Sequence, residues 1–194
     1  NLIAVARHSA RNAGCGIHYD VGNVEAMPYA TDQFDTTMSM FGAMFAYRPE
    51  ATAAELARVT RRGGRIAMAN WTPEGLIGQM LRAHTAAAPP PAGLPSPLEW
   101  GVESLVEQRF GALVSDLTCV RRTIELNFPF APDEVAELFA TNYGPTVAAL
   151  KAADPIRGRQ LLRDLTKLYT EGNAATDGTT TLVGEYLEVI AVVA

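Results

Sequence analysis

The segment 34–70 constrains the fold of this chain more than any other. It opens with a nearly unbroken apolar run over 34–45, which is typical of a strand buried on both faces of a parallel sheet. Pro49 then begins an amphipathic helix, and the sequence Arg-Arg-Gly-Gly at 61–64 predicts the last turn and the end of that helix. Residues 65–70 predict a second buried strand. Strand, helix and strand at this spacing predict a right-handed crossover between two parallel strands.

The rest of the chain continues to alternate between helical and extended patterns. Thr72 as N-cap and Pro73 as the first helical residue predict a further helix, and the proline-rich stretch 86–97 predicts an extended connection. The other patterns predict helices over 1–13, 102–110, 132–142, 145–153 and 156–171, strands over 17–19, 113–128 and 180–193, and a loop over 20–34. The predicted fold class is therefore α/β.

Composition and charge exclude several classes of function. Of 194 residues, 48% are hydrophobic and 19% are charged, which is typical of a globular protein. The net charge of −5 and the scattered basic residues argue against a nucleic-acid surface. The three histidines and two cysteines show no metal-ligand or CxxC spacing, so no metal site is expected. No apolar run is long enough to span a bilayer, so we expect a cytoplasmic protein without a membrane partner.

Five short motifs carry a resemblance to a known family. In chain order they are Gly22–Tyr29, Arg61–Gly78, Ser96–Gly101, Tyr143–Thr146 and Glu185–Val189. Together they resemble the later part of a class I S-adenosylmethionine-dependent methyltransferase, of a bacterial type that acts on small molecules. The family's glycine-rich cofactor loop, D-x-G-x-G-x-G, comes before these motifs, and this chain starts at Asn1 without it and without an initiator methionine. We therefore expect a fragment, or the ordered part, of a longer protein.

The resemblance implies a partial Rossmann-like methyltransferase sheet with a helical cap. Residues 1–85 correspond to the C-terminal half of the cofactor-binding core, and 86–111 to a proline-rich connection and cap helix. Residues 112–194 correspond to sheet strands with an inserted helical cap (129–172) and a closing strand. The chain thus supplies strands 3 to 7 of the family order 3-2-1-4-5-7-6, and the strand at 35–41 lacks its usual neighbours. An apolar edge of this kind predicts a homodimer, paired edge to edge or by exchange of elements.

The resemblance also implies S-adenosylmethionine as the cofactor and points to five residues that contact it. Asn23 stands where the family usually has a carboxylate that accepts from the adenine amino group, and its amide oxygen can still accept. The backbone N–H of Val24 is expected to donate to a ring nitrogen. Ser39, Phe41 and Met44 lie at or after the end of the first strand, where parallel sheets bind ligands. The alternatives are an ordinary loop role for Asn23 and core packing for Phe41 and Met44.

Two aromatic residues are expected to line the pocket for a small-molecule acceptor. Trp71 follows the second strand, and Tyr143 lies in the fourth of the five motifs, where its hydroxyl could orient an acceptor. The alternative for both is a partly buried aromatic ring with a satisfied polar tip. His84 lies on an apolar helix face, which favours packing over catalysis. No residue is predicted as a general base, so the catalytic residues are left open.

Two functions remain from the sequence. The first is methyl transfer from S-adenosylmethionine to a small organic acceptor, with help from residues that precede Asn1. The second is a catalytically inactive, truncated fold that acts as an oligomerising or ligand-binding module. A nicotinamide-type nucleotide site is disfavoured because the sequence has no G-x-G-x-x-G motif.

Overall fold

The computed structural model describes residues 2–194, with side chains from Ile3 onward, so Asn1 of the predicted first helix lies outside the described residues. Short 3-10 turns at Ala43–Phe45, Pro97–Gly101 and Gly111–Leu113 join the main elements. The helices are α1 (Leu2–Asn12), α2 (Pro49–Val59), α3 (Leu76–Ala87), α4 (Glu103–Phe110), α5 (Pro132–Asn142), α6 (Gly144–Ala152) and α7 (Pro155–Glu171). The strands are β1 (Phe34–Met40), β2 (Thr60–Trp71), β3 (Val114–Phe128) and β4 (Thr180–Val193).

The strands form one mixed sheet in the order β1-β2-β4-β3. β1 and β2 are parallel, while β4 runs antiparallel to both β2 and β3. This order corresponds to strands 4-5-7-6 of the family order expected from the resemblance. The predicted α/β fold class, with its partial Rossmann-like sheet and helices packed around it, is confirmed.

The parallel pair β1 and β2 is joined by α2, as the sequence predicts. Ala53, Leu56 and Val59 are buried on the inner side of α2, and Pro49 occupies its first turn. The predicted end of this helix at 61–64 is wrong. α2 ends at Val59 because Thr60 is already extended, and its hydroxyl donates to the Leu56 carbonyl at 2.7 Å.

Residues 61–64 form an irregularity inside β2 instead of the end of a helix. The sheet register moves from Phe34 opposite Thr60 to Thr36 opposite Arg65, so the extra residues of β2 have no partners in β1. Gly63 adopts a positive φ of 68°, which glycine tolerates without strain. The glycines therefore allow a bulge at the start of the strand.

A short strand over 17–19 is also predicted, and it does not form. Ile17 is 57% exposed, and residues 15–22 have no regular secondary structure. A strand is stabilised by hydrogen bonds to a neighbour, and within residues 2–194 no other strand lies beside this segment. The described sheet thus contains counterparts of family strands 4 to 7, and strand 3 of the predicted set is missing from it.

The predicted helix start at Thr72 and Pro73 is wrong by several residues. α3 begins at Leu76 with Gly75 as N-cap. The Thr72 hydroxyl does not cap the helix, because it donates to the Glu185 carboxylate at 2.7 Å. A contact with β4, distant in sequence, thus replaces the local capping that the sequence suggests.

β1 is predicted to be buried on both faces, and this is also wrong. Met38 is 70% exposed and Met40 is 61% exposed. Both lie on the outermost strand of the described sheet, which has β2 on one side only. The apolar sequence of β1 is therefore not matched by burial in this chain.

The helices that follow β3 pack together with α3 over one end of the sheet. α7 contacts both α3 and α5, and Leu161, Leu165 and Tyr169 of α7 are fully buried. The bounds of α5, α6 and α7 agree with the three predicted helices to within one residue. No helix between Leu2 and Ala194 is both long enough and apolar enough to cross a membrane.

Candidate functional site

Three aromatic rings form a cluster where β1 and β2 end. The Phe41 ring stacks on Trp71, with ring centres 3.9 Å apart and planes 13° apart. Tyr186 of β4 meets both rings edge-on, at 5.8 Å from Phe41 and 6.4 Å from Trp71. Gly184 leaves room for the indole, since a Cβ there would lie 2.9 Å from the Trp71 ring. The carboxyl ends of the two parallel strands thus carry a rigid aromatic floor.

The backbone after β1 turns sharply to place Phe41 on this floor. Phe41 has a φ of 55°, a left-handed conformation that is uncommon for a bulky residue. Its N–H donates to the Ala69 carbonyl at 2.9 Å, which holds it against β2. The Ser39 hydroxyl accepts from the Ala43 N–H at 2.9 Å, which ties the first residue of the following 3-10 turn to the end of β1. A strained residue held by its surroundings at a strand end is typical of a ligand site.

A cavity of about 490 Å³ lies above the aromatic floor, and we call it the first cavity. Its volume is in the range of small-molecule sites. Trp71 and Tyr143, the two predicted acceptor-pocket residues, both line it together with Phe41. The full lining is Phe41, Phe45, Trp71, Ile77, Met80, Leu126, Phe139, Tyr143 and Pro145. The structure therefore brings the two predicted aromatic residues together across a gap of 72 positions in sequence.

Tyr143 supplies the polar hydroxyl of this apolar lining. Burial raises the pKa of Tyr143, so the hydroxyl stays protonated at neutral pH. Among the described residues it has no hydrogen-bond partner, and its ring packs against Phe139 at 5.2 Å. A protonated, unpaired hydroxyl at the wall of a cavity is suited to donate to a ligand.

Asn23 and Val24 lie in a tight turn that precedes β1. The Ala26 N–H donates to the Asn23 carbonyl at 3.0 Å, and the Glu25 N–H donates to the Asn23 side-chain oxygen at 3.0 Å. The amide oxygen predicted for adenine recognition is thus already engaged in the turn, with one lone pair left. The Val24 N–H, by contrast, donates to no group in the part of the chain that is described.

The five predicted cofactor residues do not all lie together. Val24 and Ser39 line a third cavity of about 510 Å³ along the outer side of β1. Phe41 lies at the first cavity, on the other side of the strand end. Met44 is only 1% exposed and packs in the hydrophobic core. The cofactor roles of these residues stay predictions, and for Met44 the geometry matches the alternative of core packing.

A second cavity, of about 760 Å³, adjoins the first. It lies between α6 and the proline-rich segment Pro89–Pro97, and its lining includes Tyr47, Ala148 and Ala152. Phe45 and Pro145 line both cavities, so they stand between the two.

His84 lines the second cavity but is buried and paired with Thr146. The two side chains meet at 3.0 Å between the His84 Nε2 and the Thr146 hydroxyl. Burial lowers the pKa of His84 to about 4, so the ring is neutral at physiological pH. The expected packing role agrees with this placement.

Sequence reasoning missed several residues of the site. Phe45, Phe139 and Pro145 also line the first cavity. Pro145 lies in the fourth of the five sequence motifs, whereas for Phe45 and Phe139 only their aromatic character could have signalled a site. Asn70, next to Trp71, is fully buried, and neither polar atom of its side chain has a partner in the described structure. A lone amide in an otherwise apolar strand is a signal that the sequence does contain. No group of three or more potential metal ligands occurs between residues 2 and 194.

Comparison with known proteins agrees with this architecture. Residues 1–68 match a family described as "Methyltransferase domain". An uncharacterised protein of Mycobacterium tuberculosis H37Rv is 39% identical over 152 residues, which are 78% of this chain and 56% of the relative. A second protein of that strain is 37% identical over 149 residues, which are 76% and 54% of the two chains. The chain thus spans about half the length of the curated relatives it matches.

Solved structures share the fold at low sequence identity. The YcgJ protein of Bacillus subtilis aligns with a TM-score of 0.55 and 14% identity, over 98% of this chain and 77% of the other. An S-adenosylmethionine-dependent methyltransferase of Thermotoga maritima aligns with a TM-score of 0.51 and 12% identity, over 96% and 68%. The [4+2]-cyclase SpnF aligns with a TM-score of 0.52 and 17% identity, over 97% and 61%. Likeness at these identities shows the fold alone.

The fold and the family match together define the class. The chain has the fold of the class I S-adenosylmethionine-dependent methyltransferases, and its first 68 residues match a methyltransferase domain family. The family resemblance predicted from the five motifs is thereby confirmed.

Proposed function

We propose that this chain forms the acceptor-binding part of an enzyme that transfers a methyl group from S-adenosylmethionine to a small organic acceptor. The observation that carries the proposal is the first cavity. It joins the aromatic floor at the ends of β1 and β2 to Tyr143 of the helical cap. In parallel α/β sheets, ligands bind outside the carboxyl ends of the strands, which is where this cavity lies.

The described residues fit one part of the cofactor. The free Val24 N–H and the remaining lone pair of the Asn23 amide suit the edge of an adenine ring. Ser39 and Phe41 would lie beside the rest of the molecule at the end of β1. When bound, the cofactor supplies an electrophilic methyl group.

The chain's own contribution to methyl transfer is positioning and exclusion of water. In-line displacement at carbon depends on close and aligned reactants more than on acid or base catalysis. The stacked Phe41 and Trp71 rings offer a rigid wall against which an acceptor can be held. The apolar lining of the first cavity keeps the acceptor out of water.

Tyr143 orients the acceptor and does not act as a base in this proposal. Its raised pKa keeps the proton on the hydroxyl, so it donates a hydrogen bond to an oxygen or nitrogen of the acceptor. Other side chains of the first cavity are hydrocarbon, thioether or indole in character. The proposed reaction therefore suits an acceptor atom that is nucleophilic without loss of a proton to this part of the protein.

A second candidate function is ligand binding or another reaction in the same cavity without methyl transfer. The observation that favours it is that the [4+2]-cyclase SpnF shares the fold, so the fold does not fix the reaction. The two candidates differ in whether the cofactor binds to the turn at residues 23–26.

Calorimetric titration with S-adenosylhomocysteine tests the proposed function. We expect the chain to bind it, and we expect Val24→Pro to weaken the binding at least tenfold. Val24 is the second residue of the turn, a position that accepts proline, so the substitution removes the N–H and keeps the turn. Val21→Pro, in the exposed segment just before the turn, is the matched control and should bind like the parent chain.

Two results would contradict the proposal. One is the absence of any binding heat with S-adenosylhomocysteine. The other is equal affinity of the Val24→Pro and Val21→Pro variants, which would remove the turn from the cofactor site.

A further inference from the structure

The first and second cavities together enclose more volume than a compact acceptor needs. The first cavity measures about 490 Å³ and ends at Trp71, and the second measures about 760 Å³ and ends under the proline-rich segment. Each alone is within the range of small-molecule sites. Because Phe45 and Pro145 line both, the two cavities adjoin each other.

The partition between the two cavities is the side chain of Phe45, which is partly exposed and, in the described structure, not held by ring stacking. Phe45 is 42% exposed and belongs to the short 3-10 turn after β1. It has no aromatic ring partner among the described residues, in contrast to Phe41, which stacks on Trp71. Rotation of Phe45 would open one cavity into the other, with Pro145 as the fixed side of the passage.

Neither cavity offers a charge to a ligand. Within the described structure no aspartate, glutamate, lysine or arginine lines either one. His84, at the wall of the second cavity, is neutral because burial lowers its pKa. A charged group placed in either cavity would lose its water without gaining a partner, which is strongly unfavourable. Arg82 lines a further cavity that shares Phe45 and Pro145 with both, so a charge lies near the passage but, among the described residues, not in the walls of the first and second cavities. The walls of these two cavities therefore favour an uncharged occupant.

We propose that the two cavities form one elongated site for an uncharged molecule with a long apolar body, such as an alkyl or isoprenoid alcohol. Its polar end lies beside Tyr143, and its tail passes Phe45 and lies under Pro89–Pro97. This inference rests on the proposed function only in naming that molecule as the methyl acceptor. The site itself is tested without the cofactor.

Displacement of the neutral fluorescent probe N-phenyl-1-naphthylamine by linear alcohols tests the site. From 1-octanol to 1-dodecanol we expect each added methylene to tighten binding by about threefold to fourfold, because each is buried in turn. The compound 12-hydroxydodecanoate, with a carboxylate at its tail, should bind at least tenfold more weakly than 1-dodecanol.

Substitutions in the second cavity locate the tail. Ala148 is exposed on α6 and lines the second cavity but not the first. Ala148→Trp should therefore lower the affinity for 1-dodecanol at least tenfold and change the affinity for 1-octanol less than twofold. Ala54→Trp, at an exposed alanine of α2 outside both cavities, is the matched control and should leave both affinities unchanged. Phe45→Ala widens the passage between the cavities and should tighten the binding of 1-dodecanol.

The proposal is overturned if the alcohols do not displace the probe, or if affinity does not rise with chain length. It is also overturned if Ala148→Trp and Ala54→Trp have the same affinity for 1-dodecanol, or if 12-hydroxydodecanoate binds as tightly as 1-dodecanol. Since S-adenosylhomocysteine is absent from this experiment, its outcome is independent of the cofactor titration. If the chain binds alcohols but not S-adenosylhomocysteine, this inference holds and the proposed function is contradicted.

Discussion

At the scale of single residues, His84 is the clearest case of a group whose environment sets its chemistry. It is 6% exposed, its Nε2 meets the Thr146 hydroxyl, and its Nδ1 has no partner in the described structure. Its ring centre lies 6.5 Å from that of Tyr143, which is uncharged at neutral pH. A proton added to this ring would have neither water nor a counter-charge beside it.

The buried ring predicts a loss of stability in mild acid. The pKa of His84 is lowered from 6.5 to about 4, so between these values the unfolded chain binds a proton that the folded chain does not. The free energy of unfolding therefore falls as pH drops from about 6.5 to about 4, by up to about 3 kcal/mol. Urea unfolding at a series of pH values should show this slope, and His84→Gln should flatten it.

His8→Gln is the matched control for this measurement, because His8 is exposed on α1. It should leave the slope unchanged. If His84→Gln keeps the full pH dependence between 6.5 and 4, the slope does not come from the buried ring.

Sequence motifs made some residues of the candidate site predictable, whereas residues placed by tertiary packing were not. Trp71 and Tyr143 line the same cavity, and sequence motifs mark both residues, although neither composition nor periodicity brings them together. Their role in acceptor binding stays a prediction. Phe45 could not be placed, since its position depends on a three-residue turn that the sequence shows only as the end of an apolar run. Asn70 could be noticed as a lone amide, but its complete burial comes from packing that local patterns do not show.

At the scale of secondary-structure elements, the aromatic floor depends on how closely β2 and β4 pack their side chains. Trp71 pairs with Tyr186 in the register of these strands, and its indole covers Gly184. The absence of a side chain at Gly184 is what lets the indole lie flat and stack on Phe41.

Gly184→Ala should displace the Trp71 indole, because the added Cβ would lie 2.9 Å from it and the ring is held on its other side by Phe41. We expect the free energy of unfolding to fall by about 1–3 kcal/mol, as in other overpacked sites. Urea unfolding and the near-ultraviolet spectrum of the indole measure the two effects. Gly158→Ala on α7 is the comparison, since its Cβ would make an ordinary 3.8 Å contact and should not destabilise the chain. Equal stability of the two variants would mean that the indole is not held as described.

The elements themselves were predicted well where side-chain periodicity decides them, and less well where tertiary contacts do. α5, α6, α7, β3 and β4 follow from apolar spacing with proline or aspartate at the helix starts. α2 ends early because Thr60 joins the sheet, and α3 starts late because Thr72 bonds to Glu185. Residues 17–19 have the composition of a strand but no neighbour in the described sheet. In each case the outcome depends on whether a partner distant in sequence is present, which local sequence does not reveal.

At the scale of the whole molecule, the outer side of β1 is the surface that most needs a partner. β1 is an edge of the described sheet, and the side chains of Met38 and Met40 are mostly exposed. Unpaired backbone groups beside exposed apolar side chains favour the addition of another strand. We propose that a second copy of this chain covers the edge, so that β1 pairs with its own symmetry mate across a two-fold axis.

Light scattering over a range of protein concentrations should then find a homodimer. Met38→Lys should raise its dissociation constant at least tenfold, because the two-fold axis brings two new like charges together in the same interface. Ile156→Lys is the matched control, since Ile156 is a 72% exposed apolar residue of α7, away from the sheet edge, and should leave the dimer intact. A chain that stays monomeric and soluble at all concentrations would show that β1 needs no second copy. If both substitutions raise the dissociation constant equally, the effect comes from net charge, and the edge of β1 is not the dimer interface.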